Sequence, residues 1–586
     1  ALALFAPAAP RALDRVDLRL SGPSNPELRQ TLSDGSLLMA LSGRADAAPD
    51  EIVAAARADY ARLVELAYGE GYYSVAVHIL IDGREAATLD PFRDPARVNK
   101  VEIEVTPGRL FRFGQARVGP LVPGTAPAEG YRNGAPARAT VVREAAQSAV
   151  DDWRDAGHAK ARIDGQTVLA NHPQARLDSD LRLAPGPKVR FGKLVITGDS
   201  SVRPSRLRRI ASLPKGEVFT PQAVDKAAAR LRKTGTFKSV TLSEGETVNP
   251  DGSLDIGLNV LDRKPRRIGG GLEFSSLDGL TLSGYWLHRN LLGGAERLRL
   301  DGEIAQIGTR AKGIDYTLAL RFEKPAVYGP DTLFFTEAEL AYLDEPTYIE
   351  RHAALTFGVS REFSDRLTGS LGLGYSFSRV TDLYTLPKTT RELRLVSLPA
   401  TLTFDSRDNA LDASKGLYLK GELTPFVETA SKRGGARFAF DGRTYHALGG
   451  SGSVLAARLQ LGALAGPPAV DAPPDYLFYS GGAGTVRGQP YKSLAADYGG
   501  VTLGGRSFAA LSGEVRVPVG EKWGVVGFAD AGFVGDGTGN GDWHAGAGLG
   551  VRYKTPVGPI RLDIAGPVAG KTGSGLQLYI GIGQAF

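Results

Sequence analysis

Ser480-Gly-Gly-Ala-Gly-Thr-Val-Arg-Gly-Gln-Pro-Tyr491 is a glycine-rich stretch carrying a single arginine, Arg487. It lies within a long run of alternating segments. It reads as a loop that folds back into a membrane β-barrel and fixes Arg487 to the inner wall. Glycine suits such a loop because it lets backbone approach backbone closely. A glycine-rich loop can also cradle a phosphate, but that use requires a strand before it and a helix after it. Lys492 to Arg506 contains four glycines and no helical period, which speaks against a phosphate site.

Outward from this loop, everything after Arg267 alternates with a period of two. In Leu367 to Phe377, Leu371, Leu373, Tyr375 and Phe377 share one face, and Ser370, Gly372, Gly374 and Ser376 share the other. In Leu455 to Leu461, Arg458 and Gln460 oppose Leu455, Leu459 and Leu461. Glu514 and Arg516 oppose Val515 and Val517. An apolar exterior against a polar or small-residue interior is the pattern of a transmembrane barrel. A soluble sandwich would also alternate, but rarely over so long a stretch without a helix. Counting back from the C-terminus gives about sixteen strands, an even number as bacterial barrels require. Both barrel ends then face the periplasm, and Arg289 to Gly294 and Asp405 to Asn409 fall in periplasmic turns. The Arg487 loop, residues 466–506, then joins the eleventh and twelfth strands on the outer face. Some forty residues without regular structure suggests function.

The first half of the chain repeats. Arg112-Phe-Gly114 recurs as Arg190-Phe-Gly192, and Pro107-Gly108, Gly157 recur as Pro185-Gly186, Gly235, each at an offset of 78. A shared offset marks an array of similar modules. Each opens on a strand (Phe113 to Val118; Phe191 to Thr197), continues as a helix that stops at glycine, and closes with two strands. Thr220-Pro221 starts the later helix, with Val224, Ala227, Ala228 and Leu231 on one face. A more diverged copy holds the strand positions Val16, Leu18 and Leu20, the helical stripe Val53, Ala56, Tyr60, Leu63, Val64 and Ala67, and the closing strand Val101 to Val105. The fold class is therefore three α+β repeat modules (residues 13–109, 110–187 and 188–265) followed by a transmembrane antiparallel β-barrel (266–586). The modules are either spacers or sheet edges that add strands from client chains. Residues 1–12, apolar and Ala/Pro-rich, read as a signal-peptide remnant or a disordered terminus.

Composition narrows the function. The chain has 586 residues, 74 glycines and no cysteine. The absence of cysteine excludes disulfides, thiol nucleophiles and Cys-ligated metal. Net charge is +6, with Lys and Arg scattered rather than gathered into a nucleic-acid arm; it is compatible with anionic lipid headgroups or a basic pore wall. No apolar run reaches the length of a transmembrane helix, and a mean hydropathy of −0.14 hides a barrel because only alternate residues meet lipid. The seven histidines show no metal spacing, and no serine stands at a strand-to-helix elbow. No enzyme, cofactor or metal is expected.

Several motifs resemble one family. Val486-Arg487-Gly488, Phe528-Ala-Asp-Ala-Gly532 and Gly550 to Asp563 resemble the loop, strand and penultimate-hairpin signatures of the outer-membrane assembly and secretion superfamily that includes BamA, TamA and the two-partner secretion transporters. The modules resemble polypeptide-transport-associated (POTRA) domains. Three modules, and the ending Leu578 to Gly583, are similar to the TamA type. Gln489 departs from the pattern, where an aromatic is usual. The resemblance implies an outer-membrane protein of a Gram-negative bacterium with periplasmic modules. Its implied function is to help unfolded outer-membrane or autotransporter clients insert without ATP, with a TamB-like inner-membrane-anchored partner. The alternative is a pore that exports a client through the lumen.

Two further site expectations follow. Either Glu514 or Asp530 can take a bidentate bond from Arg487, the resemblance favouring Asp530. The first strand carries Gly269, Gly270 and Gly271 and the last carries Gly581 and Gly583. Glycine weakens strands, so their seam is expected to be short and to open, with Gly270 and Gly581 as crosslinking positions; the other reading is that these glycines relieve crowding in a tilted barrel. Leu576, Leu578, Ile580, Ile582 and Phe586 share a face, and a strand running to Phe586, with Tyr579, suits a C-terminal assembly signal.

Overall fold

The computed structural model describes residues 15–22, 25–44, 47–90, 97–275, 279–308, 313–449, 452–555, 558–572 and 575–586. Segment 1–12, with its expected processing signal, lies outside them. Two compact units make up the chain: residues 1–195, 213–225 and 243–257, and residues 196–212, 226–242 and 258–586.

In the first unit, Arg15–Leu20 pairs in parallel with Lys100–Thr106, which pairs antiparallel with Ala76–Ile81. The helix Pro49–Gly69 opens on proline with Asp50 and Glu51 in its first turn, where the helix dipole favours negative charge. Its stripe Ile52, Val53, Ala56 and Leu63 buries against Ile79 and Ile103. A second sheet sets Arg112–Gly119 parallel to Arg176–Ala184, with Arg162–Asn171 antiparallel on the other side. The helix Ala139–Asp155 covers it over a core of Phe111, Phe113, Tyr131 and Leu177. A third sheet has the order Arg190–Ile196, Ser253–Asp262, Phe237–Glu244. Gly71, Gly157 and Gly235 follow the three long helices at φ +93°, +104° and +69°, left-handed stops that end them.

In the second unit the barrel closes from Arg266–Ser275 to Gln577–Ile582. It has sixteen strands, counting Thr389–Ser397 and Ala400–Asp405 as two halves of the eighth. Both halves pair with the seventh strand and with the ninth, and they part at Pro399, which has no N–H to give the ladder. Alternate residues face outward and are apolar and exposed: Leu371, Leu373 and Tyr375 on the seventh strand, Leu511, Val515 and Val517 on the twelfth. Their neighbours Ser512, Glu514 and Arg516 are buried in the interior. Arg203, Arg206, Arg209 and Arg230, on the parts of the third module that belong to this unit, bond to the barrel turns at Gly293, Pro325, Val327 and Asp331. The turn after Arg289 therefore lies on the side of these helices.

The C-terminus corrects one expectation. The last strand ends at Ile582, not Phe586. Gly583, at φ +93°, turns the chain, and the Phe586 ring packs inside the barrel with Ala413, Tyr445, Val454 and Ala456. Alternation written past a left-handed glycine no longer assigns a face.

Candidate functional site

The Arg487 loop leaves the eleventh strand, Ser453–Ala465, and rejoins the wall at the twelfth, Ser507–Val519. It holds its own shape through the backbone pairs Phe478 with Gly505, Ser480 with Leu494, and Gly482 with Val486. Leu477, Phe478 and Leu494 pack with Phe508 and Val534 of the wall. Val486 is fully buried, and Arg487 is 2% exposed.

The guanidinium of Arg487 reaches both carboxylates. Nε and Nη2 donate to Oδ2 and Oδ1 of Asp530 at 2.8 and 2.9 Å, and Nη1 donates to Glu514 Oε1 at 2.6 Å. Its own backbone N–H also donates to Asp530 Oδ2, at 3.0 Å. The cation lies 3.6 Å from the centroid of the Phe528 ring. Asp563 is 3.8 Å from Nη1 and takes Arg552 as its closer partner, while Arg516 donates to Glu514 at 2.9 Å. Three arginines and three carboxylates thus balance one another in a site closed to water, the condition under which buried ions are tolerated. Arg516 also donates to the main-chain oxygen of Phe586 at 3.1 Å, which draws the C-terminus into the same network.

Beyond Arg487 the loop apex meets the wall backbone to backbone. Gly488 has φ +88°, and a Cβ there would lie 2.5 Å from the Gly566 oxygen; a Cβ on Gly546 would lie 1.9 Å from the Arg487 oxygen. The Gly488 N–H donates to the Tyr579 hydroxyl on the last strand at 3.1 Å. Gln489, where the resemblance leads one to expect an aromatic, is held by hydrogen bonds: its Nε2 donates to the oxygens of Ala545 and Ala569 at 2.8 and 3.0 Å, and its Oε1 accepts from Thr572. His544 links Thr572 to Ser480 through its two ring nitrogens. The loop is also held on the facing wall. Lys492 pairs with Glu345, in the turn between the fifth and sixth strands, and Arg391 of the eighth donates to the Ala472 oxygen at 2.9 Å. The loop thus spans the lumen as a brace.

Glu514 and Asp530 could be grouped with Arg487 from strand alternation. Asp563, Tyr579, Glu345 and the glycines at 546 and 566 could not. Asp563 sits at an inward position two residues after Arg561, which is the signal that could have found it. Tyr579 shows its role only once the barrel has closed.

The seam is short. The first strand pairs with the second over ten residue pairs; with the last, the described residues pair at Phe274 with Ile580 and Ser275 with Tyr579. The structure places the seam glycines differently from the expectation. Gly269, Gly270 and Gly271 pair with Tyr285, Gly284 and Ser283 of the second strand, and none pairs with the last. Gly583 lies beyond the strand, and Gly581 is one residue from the paired stretch. The reason is that the last strand is six residues long and meets only the far end of the first. Gly270 and Gly581 are consequently out of register, and a crosslink there would not report on the seam. Gly269 leaves space for the Tyr285 ring, 2.4 Å from where a Cβ would stand.

Residues 290–586 match the family model described as Omp85 superfamily domain, and residues 189–260 match a POTRA model, described as surface antigen variable number repeat. Among solved structures, BamA from Haemophilus ducreyi lacking POTRA domains 1–3 aligns with a TM-score of 0.65 at 16% identity, covering 80% of this chain and all of that one. CdiB from Acinetobacter baumannii aligns at 0.51 and 12% identity, covering 81% of this chain and 90% of that one. Both are likenesses of fold. Outer envelope protein 80, chloroplastic, of Arabidopsis thaliana is 24% identical over 420 residues, 62% of this chain; the chain spans about half, 52%, of that relative's length.

Proposed function

The chain belongs to the Omp85 superfamily, and on that premise we propose that it inserts other β-barrel proteins into the outer membrane of a Gram-negative bacterium. In this reading a client strand pairs at the gap between the first and last strands, and the modules reach clients in the periplasm. An unpaired strand edge in lipid leaves backbone groups that each cost several kcal/mol, so a barrel opens only where few pairs must break. The observation that carries the reading is the register of the seam: among the described residues the last strand, six residues long, meets the first only at Phe274 and Ser275, and Arg266 to Glu273 have no ladder partner on that side. No covalent chemistry is required, since edge pairing itself supplies the driving force.

The finer assignment, also proposed, is a TamA-like subunit with three POTRA domains, autotransporter clients and a TamB-like periplasm-spanning partner. It rests on the module number and the resemblance of the C-terminal segment. Export through the lumen is disfavoured by the loop brace, which ties one wall to the other through Arg487 and Lys492.

The test is reconstitution. The full chain is placed in lipid vesicles, a urea-unfolded barrel protein is added, and its heat-modifiable folded form is followed by gel mobility. The reading expects client to accumulate, folded, in the vesicle membrane faster than in empty vesicles. Client appearing free inside the vesicles would favour the pore, and no acceleration would reject insertion.

A further inference from the structure

An ion pair crosses the seam over the strand that lies between its partners. Arg561, on the fifteenth strand, donates through Nη2 to Glu273 Oε1, on the first, at 3.0 Å. The last strand lies between them, and the residue that Arg561 faces on it is Gly581. Continuing the seam register from Phe274 and Ile580 brings Gly581 level with Glu273. Arg561, Gly581 and Glu273 thus form one row on the lumen side, opposite in parity to the outward Leu272, Phe274, Ile580 and Ile582. A Cβ on Gly581 would stand 3.0 Å from Arg561 Nε, so the guanidinium can pass over this residue because it has no side chain. The Arg561 side chain is 11% exposed and that of Glu273 is 50% exposed. Among the described residues Arg561 Nε has no hydrogen-bond partner, and Nη2 is bonded to Glu273.

We propose that Glu273 and Arg561 form a charged latch over the seam, positioning residues that set how often the first and last strands part. The inference rests on the seam-opening reading above and adds the element that regulates it. The bond ties the first strand directly to the fifteenth, so this charge-assisted contact must break before the first and last strands can part. Inserting even one client strand would separate the two charges by a further strand spacing of about 4.8 Å, beyond bonding range. Because Glu273 is half exposed, the latch is open to screening by salt.

The test uses the seam alone, in the full chain, without client. Phe274→Cys and Ile580→Cys are introduced together into the cysteine-free chain, the protein is placed in lipid nanodiscs, and the rate of disulfide formation under mild oxidant measures the closed fraction. Glu273→Gln or Arg561→Gln should each lower that rate about two- to fivefold, the range of a partly exposed ion pair. Raising salt should lower it in the parent and leave the variants unchanged. The exchange Glu273→Arg with Arg561→Glu should restore the rate. Gly581→Ser keeps both charges but crowds the guanidinium, and should behave like the single charge removals. Heat-modifiability checks that each barrel is folded. Unchanged rates in the single variants, or an exchange no better than either single, would overturn the latch. A failure here leaves the insertion assay untouched, whereas a working latch without client insertion would count against the function and not the latch.

Discussion

Arg487 is bonded to Asp530 three times, twice through its guanidinium and once through its own backbone N–H, and a fourth bond joins it to Glu514. A lysine could supply the charge but not this fork. Because the group is closed to water, removing Arg487 leaves the Asp530 charge without its fork of donors, and removing Asp530 leaves Arg487 with Glu514 as its close partner, at a cost on the order of 3–5 kcal/mol. Arg487→Ala should release the loop apex, raise single-channel noise in planar bilayers and reduce client insertion while the barrel still enters membranes. Asp530→Ala should do the same, and the double variant should be little worse than either. Strictly additive losses would show that the two residues act separately.

The Tyr579 hydroxyl joins the last strand to the loop apex. Tyr579→Phe removes the acceptor for the buried Gly488 N–H and the donor to the buried Gln577 Oε1, at a cost of about 1–3 kcal/mol for each group left unsatisfied. Hydrogen exchange at residues 486–489 should rise while protection of the wall strands 507–519 and 523–535 is retained. Equal loss of protection in both regions would mean that Tyr579 serves general barrel stability.

Two glycines of the same loop should respond differently to alanine. At Gly488 a Cβ meets the Gly566 backbone at 2.5 Å and the φ of +88° is strained for any side chain; at Gly484 a Cβ meets nothing within 4 Å. Gly488→Ala should displace the apex and imitate Arg487→Ala in channel noise, and Gly484→Ala should match the parent. Matching behaviour of the two variants would remove close backbone contact as the reason for glycine at 488.

At the turn between the fourth and fifth strands, the Arg230 guanidinium donates to both Asp331 oxygens at 2.7 and 2.8 Å and holds that carboxyl below the usual carboxylate range. A depressed folded pKa means stabilisation that is complete above the unfolded value, about 3.9, and lost as pH falls through the folded value. Hydrogen exchange of residues 226–233 should therefore quicken below about pH 4. Asp331→Asn should show the faster exchange already at neutral pH and lose the acid-dependent step. A parent step unaffected by Asp331→Asn would assign the acid response to another group.

The strand alternation and the module offset are local patterns, which is why the barrel, the repeat and the inward placement of Glu514 and Asp530 could be read from residues a few positions apart. The rest depends on closure. Gly488 and Tyr579 are 91 positions apart and meet because the sixteenth strand comes round beneath the loop. Lys492 and Glu345 meet because the loop crosses the lumen. The seam glycines were misplaced for the same reason: a glycine run shows where a strand is weak, but not the register it keeps with a partner at the other end of the barrel. Phe586 fits the alternation on paper, and one left-handed glycine sends it inside.

The register that the structure gives the seam makes its opening directly measurable. Phe274 and Ile580 face each other across it, and antiparallel partners lie within disulfide reach. With Phe274→Cys and Ile580→Cys in vesicles, oxidised protein should fail to accelerate folding of an added client barrel, and reduction should restore the parent rate in the same sample. Undiminished client folding with the disulfide fully formed would contradict insertion through this seam.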